Sequence, residues 1–172
     1  LDEADRVVAA AEANGNRLLY GENLAYAPVV TEFIRRVRSL GTLSHLEVRA
    51  INPLPTWGGF TTDEWGGGAL FDLGVHPLAV ALLAAAPAVP RLVQARLDGS
   101  PSGRHRSDEV AEVVVQFDNG LRAHVVASYR GGDRPQWDAQ AASSTGVVRA
   151  ELLPSPSLEV NGEPVRIVSP TS

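Results

Sequence analysis

The chain has 172 residues, of which 44% are hydrophobic and 20% charged, with a net charge of −5. That fits one globular domain able to bury a core without staples. The acidic balance excludes a broad nucleic-acid-binding face, which needs basic surface; no apolar run reaches the roughly 20 residues of a membrane helix; and the absence of cysteine excludes disulfides and thiolate metal sites. Methionine is absent too, even at position 1, so the chain reads as a piece of a longer one.

Residues 2 to 14 predict a helix, with acids in the first turn, where the helix dipole favours them, and Gly15 as its stop. RLLYGE (17 to 22) predicts a short strand. Pro28 opens a second helix, whose apolar stripe is Val29, Val30, Phe33, Ile34 and Val37; Arg35, Arg36 and Arg38 take its wet side, and Gly41 ends it. In LSHLEVRAI (43 to 51), Leu46, Val48 and Ala50 alternate with His45, Glu47 and Arg49, the pattern of a half-buried strand. Residues 52 to 68 form a long loop punctuated by proline and glycine and carrying Trp57 and Trp65. A helical segment follows to about Ala86.

From Arg91 onward the pattern is strand after strand. The runs 91 to 98, 110 to 117, 121 to 129, 136 to 143, 147 to 152, 157 to 160 and 164 to 168 are separated by turns. Asn119-Gly120 and Asn161-Gly162 are hairpin signals, since a type I′ turn needs positive φ at both positions. Tight turns between successive strands imply antiparallel pairing. The expected fold is α+β: an open-faced, mostly antiparallel sheet with helices packed on one face and a mixed second face available for a subunit or domain contact.

One stretch carries chemistry. GGGALFDLGVHPLAVALL places Asp72 and His76 four residues apart in an apolar segment behind glycines, on one face of a helix if the segment is continuous. Pro77 biases His76 away from helical geometry and allows a kink or a fresh helix start. Two readings stand on spacing alone. Either His76 exchanges protons near neutral pH with Asp72 holding its tautomer, or Asp72 caps a helix and His76 is a core histidine. His45 and His124 read as surface strand positions and His105 as a solvated loop residue; no histidine spacing suggests a metal.

The same stretch resembles the signature segment of the Gfo/Idh/MocA oxidoreductases. LDEADRVVAAAEANGNRLLYGENLAYAP is similar to the family's helix–strand–Asn–aromatic–Pro passage, and DEVAEVVVQFDNGLRAHVVASY to its central hairpin. The resemblance implies that residues 1–172 are the C-terminal substrate and oligomerisation domain of an NAD(P)-dependent enzyme, with the Rossmann domain elsewhere. It implies a sugar, polyol or related hydroxy substrate, NAD or NADP as cofactor, His76 as acid/base and Asp72 as its orienter or a hydroxyl contact. Asn23 and Tyr26 match substrate-side positions, Trp57 and Trp65 could wall the pocket, and Ala25 stands where arginine is frequent. It further implies a homo-oligomer through the open sheet face, in the cytoplasm, without nucleic-acid or membrane partners. The alternative is a non-catalytic dimerisation or regulatory module on the same scaffold.

Overall fold

The computed structural model describes residues 2–19, 21–62, 67–100, 103 and 105–167. Its elements in chain order are α1 (Asp2–Ala13), a 3-10 turn (Asn23–Tyr26), α2 (Pro28–Ser39), β1 (Leu43–Ile51), α3 (Ala69–Asp72) and α4 (Val75–Ala85). The strands β2 (Pro90–Gly99), β3 (Asp108–Phe117), β4 (Arg122–Ser128), β5 (Gln136–Ser143), β6 (Gly146–Leu153), β7 (Ser157–Val160) and β8 (Glu163–Pro164) follow. All eight strands make one sheet in the order β2-β3-β4-β1-β5-β6-β7-β8.

The open-faced α+β expectation holds, with one topological addition. Two meanders, β2–β4 and β5–β8, flank β1, which pairs antiparallel with β5 and parallel with β4. The parallel pair is possible because α3, α4 and two strands supply the long return that parallel neighbours require. Alternation then sorts the faces. Leu46, Val48 and Ala50 lie beside Ala123, Val125 and Ala127 on one flank and Ala141, Ala139 and Trp137 on the other, all buried under the helices. Phe33 of α2 is fully buried, and α4 buries mostly small residues (Ala81, Ala84, Ala85), which lets its axis approach the sheet closely. On the opposite face Arg49 forks onto Asp138 at 2.9 and 2.8 Å, Arg149 donates to Gln140 at 2.9 Å, and His45 stacks on His124 at 6.3 Å.

Several expectations are corrected. No strand forms at residues 17 to 22: residues 16–19 have no regular structure, Leu18 and Leu19 are exposed, and Tyr20 lies outside the described residues. A short apolar run cannot make a strand without a neighbour for its ladder, and no described strand pairs with this segment. Helix α1 likewise buries none of its residues. The two Asn-Gly turns differ: Asn161 and Gly162 both have positive φ (54° and 85°), whereas at the first turn only Gly120 does (85°). There Gly120 N–H bonds to Phe117 O and Phe117 N–H to Leu121 O, so the hairpin closes with a longer loop that needs one left-handed residue.

His105 is not a solvated loop residue. Its side chain is mostly buried, with Nε2 3.3 Å from Glu109 Oε1, while Arg130 Nε reaches Glu109 Oε2 at 3.1 Å. Burial alone would raise the Glu109 carboxyl, but hydrogen bonds from Ser100 and Arg130 and the charges of Arg130 and His105 outweigh it and hold it below its usual value. No helix among the described residues is long and apolar enough to cross a membrane.

Two outcomes follow from this packing. Phe33→Ala should cost about 3–5 kcal/mol by urea unfolding, the usual range for emptying a fully packed aromatic site. Glu109 has a folded pKa lower than its unfolded one, so its contribution is present above the unfolded value of about 4.3 and is lost as pH falls through the folded value. Thermal unfolding of Glu109→Gln against the parent chain from neutral to acid pH should therefore show a stability difference that shrinks toward acid.

Candidate active site

The site begins where β1 ends. Asn52 continues the strand by donating its N–H to Ser128 O (2.8 Å) and accepting from Gly131 N–H (3.1 Å). Its side-chain Oδ1 accepts the indole N–H of Trp137 at 2.8 Å. The loop that follows returns to α3 through glycines. Gly67 N–H reaches Thr62 O (3.2 Å) and Gly68 N–H reaches Phe60 O (2.7 Å). A Cβ on Gly67 would overlap the Phe60 carbonyl, and one on Gly68, at φ 127°, would overlap the carboxylate of Asp108. That carboxylate accepts Leu70 N–H at 2.8 Å, so the start of β3 caps α3 from outside the helix. Close backbone approach is thus what Gly67 and Gly68 provide; Gly66 lies outside the described residues.

Helix α3 stops at Asp72, and Gly74, where a Cβ would press on Leu70, lets the chain restart as α4 at Val75. The break falls before Pro77, which occupies the first turn of α4, where its missing N–H has no helical acceptor to lose.

That break separates the two expected partners. Asp72 Oδ2 accepts the phenol of Tyr129 at 2.7 Å. His76 Nδ1 instead meets both oxygens of Glu22, at 2.9 and 2.8 Å. Asp72 is therefore not the orienter of His76, because the i,i+4 geometry that would pair them requires a continuous helix. Burial first, then the bond to Asp72, pushes the Tyr129 phenol well above its usual pKa, so it stays a donor across the neutral and alkaline range.

Asp72 lines a cavity of about 350 Å³ with Asn52, Trp57, Phe60, Tyr129 and the prolines of the loop. Trp57 meets Phe60 edge to face at 4.8 Å and is otherwise 72% exposed, a ring presented rather than packed away. His76 reaches the same region from the side: its ring lies 5.2 Å from Trp137, whose indole is bonded to Asn52. Asp72, Trp57 and, at one residue's remove, His76 are thus gathered at the end of β1. Asn23 and Tyr26 are not among the residues lining this cavity; both are exposed on the 3-10 turn, Tyr26 by 76%. Trp65 lies outside the described residues.

Glu22 was missed by sequence reasoning. It stands 54 residues from His76, and no local spacing joins them. The one available signal was an acid just before Asn23, at the position where it caps the 3-10 turn by accepting Leu24 N–H at 2.9 Å.

A profile of the GFO/IDH/MocA C-terminal domain matches residues 34–163, most of the chain. The chain belongs to the GFO/IDH/MocA family. Among curated relatives it is 28% identical over 157 residues to a protein of Amycolatopsis mediterranei (strain S699) named for a UDP-kanosamine synthase oxidoreductase subunit; the match covers 84% of this chain and 44% of that protein. Among solved structures, GenD2 from gentamicin A biosynthesis, in complex with NAD, superposes with a TM-score of 0.79 at 25% identity, over 86% of this chain and 43% of that one. The fold is also that of aldose-aldose oxidoreductase from Caulobacter crescentus, complexed with glycerol (TM-score 0.82, 18% identity, 96% of this chain and 52% of that one). The inositol dehydrogenase homolog from Azotobacter vinelandii, complexed with NADH and myo-inositol, shares it as well (0.75, 15%, 97% and 46%). The chain spans about half the length of these relatives.

The seating of α3 can be tested directly. Asp108→Ala should lose about 0.5–2 kcal/mol, the cost of a helix cap, and Gly68→Ala should lose more, because it adds a left-handed non-glycine residue to a steric overlap. Urea unfolding of both variants checks the order.

Proposed function

We propose that residues 1–172 are the substrate-pocket domain of an NAD(P)-dependent oxidoreductase that interconverts a hydroxyl and a carbonyl on a sugar, polyol or related compound in the cytoplasm. The observation that carries this reading is the cavity at the end of β1, where Asp72 meets Trp57 and Phe60, with His76 linked to its Asn52 wall through Trp137. Carbohydrates present apolar ring faces and a rim of hydroxyls, which suits an exposed indole next to a carboxylate acceptor. Family membership and the ligands carried by similar structures support the same class.

In this reading His76 takes the proton from the hydroxyl being oxidised, and returns it in the reverse direction. Asp72, with Oδ2 held by Tyr129, offers its remaining acceptor capacity to a neighbouring hydroxyl. The nicotinamide supplies the hydride chemistry. The described residues contain no Rossmann crossover: their only parallel strand pair, β1 and β4, is joined through two helices and two further strands rather than one crossover helix on a glycine-rich turn. A Rossmann domain outside residues 1–172 would hold the nicotinamide. The open face, with Val114 and Val126 half-buried among paired polar groups, supports a homo-oligomer contact there.

In the parent enzyme, assayed with NAD and NADP against a panel of aldoses, myo-inositol and other polyols, His76→Asn should lower kcat by about 10²–10⁴-fold. Asp72→Asn should act mainly on KM. Full turnover in His76→Asn would remove the acid/base assignment, and a parent inert toward the whole panel would favour the non-catalytic module.

A further inference from the structure

The carboxylate facing His76 is Glu22, from the turn before α2, and not Asp72 four residues away. Glu22 is 6% exposed, which is rare for a carboxylate and costly unless its lone pairs are met. They are met by two groups: Leu24 N–H at 2.9 Å on Oε1, and His76 Nδ1, which lies 2.9 Å from Oε1 and 2.8 Å from Oε2. The backbone bond is local and belongs to the 3-10 turn, so the carboxylate is fixed by its own segment before it meets the histidine. On another side, Trp137 lies 5.2 Å from the imidazole at an interplanar angle of 35°, and Trp137 is itself tied to Asn52.

We infer that Glu22 is the positioning residue of this site, locking His76 in the Nδ1–H tautomer so that Nε2 is the atom that accepts and returns the substrate proton. An ionised carboxylate can only accept hydrogen bonds, so the nitrogen pressed between its two oxygens carries the hydrogen. The other nitrogen then keeps its lone pair, and among the described residues no hydrogen bond reaches Nε2. The free imidazole side chain prefers the opposite tautomer, with hydrogen on Nε2, so the pairing selects the minority form. Asp72 does not do this work: the imidazole's Nδ1 bonds to Glu22, while the Asp72 carboxylate accepts from Tyr129. The two carboxylates therefore divide the labour: Glu22 sets the base, and Asp72 faces the cavity. A proton-accepting Nε2 rests on the acid/base reading above; the tautomer itself does not.

Long-range ¹H–¹⁵N spectra of the uniformly labelled chain test the lock without any substrate. Only four histidines are present, and His76→Asn assigns the pattern in question. At a pH where the imidazole is neutral, His76 should show a protonated Nδ1 and an unprotonated Nε2. Glu22→Gln keeps the volume and an acceptor for Leu24 N–H but removes the charge, and the two tautomers should then both be populated. A wild-type spectrum dominated by the Nε2–H form overturns the inference, and so does a Glu22→Gln spectrum unchanged in a chain with the parent far-UV dichroism. Because the first of these needs no variant, a Glu22→Gln chain that fails to fold leaves the inference open to refutation. In the parent enzyme Glu22→Gln should reduce kcat about 10–100-fold with little change in KM. If the tautomer moves while kcat does not, the acid/base reading of His76 fails and the lock stands.

Discussion

A carboxylate removed from water has to be surrounded by donors, and that requirement at Glu22 organises this end of the molecule. The 3-10 turn brings one donor from the backbone, and α4 brings the other from His76. For both to arrive, α4 must begin beside the turn, which requires the segment after Gly68 to break and restart at Gly74. The break in turn frees Asp72 to face Tyr129 at the end of β4. One electrostatic demand thus links the start of α2, the start of α4 and the ends of the central strands.

The sheet supplies the rigidity that such an arrangement needs. β1 is held on both sides, and Asn52 extends that hold one residue beyond its end by bonding to Ser128, Gly131 and Trp137. Groups attached there move only if the middle of the sheet moves. The open face follows a different logic. Two of its arginines are already met within the chain, Arg49 by Asp138 and Arg149 by Gln140, before anything covers the face. A contact made on such a face gains less from new ion pairs than from the apolar residues between them.

Much of this architecture was legible in the order of residues. Alternation in 43 to 51 fixed β1 and its buried side, and the stripe from Val29 to Val37 fixed the buried side of α2. Those signals are local, because the period of an element is written in its own residues. What was not legible is non-local. The insertion of β1 beside β4, the cap that Asp108 places on α3 and the pairing of Glu22 with His76 each join residues far apart in sequence. The segment 17 to 22 shows the converse failure, since its local pattern is that of a strand and no strand among the described residues pairs with it. The resemblance in GGGALFDLGVHP pointed to the correct family while its spacing suggested the wrong partner for His76.

The two margins of the sheet are protected in different ways. β8 is two residues long and contains Pro164, which removes a donor, so an added strand finds little to bind. β2 is ten residues long, exposed along all of it but Asp98, and shows Leu92, Val93 and Leu97 to solvent. What guards it is charge: Arg91 near Asp118 at 3.7 Å and Arg96 near Asp98 at 3.2 Å. Charge is screened by dissolved ions, while shortness and proline are not. Raising ionic strength therefore disarms one border of the sheet and leaves the other intact, and fibrillar growth by strand addition, where it occurs, would start from β2.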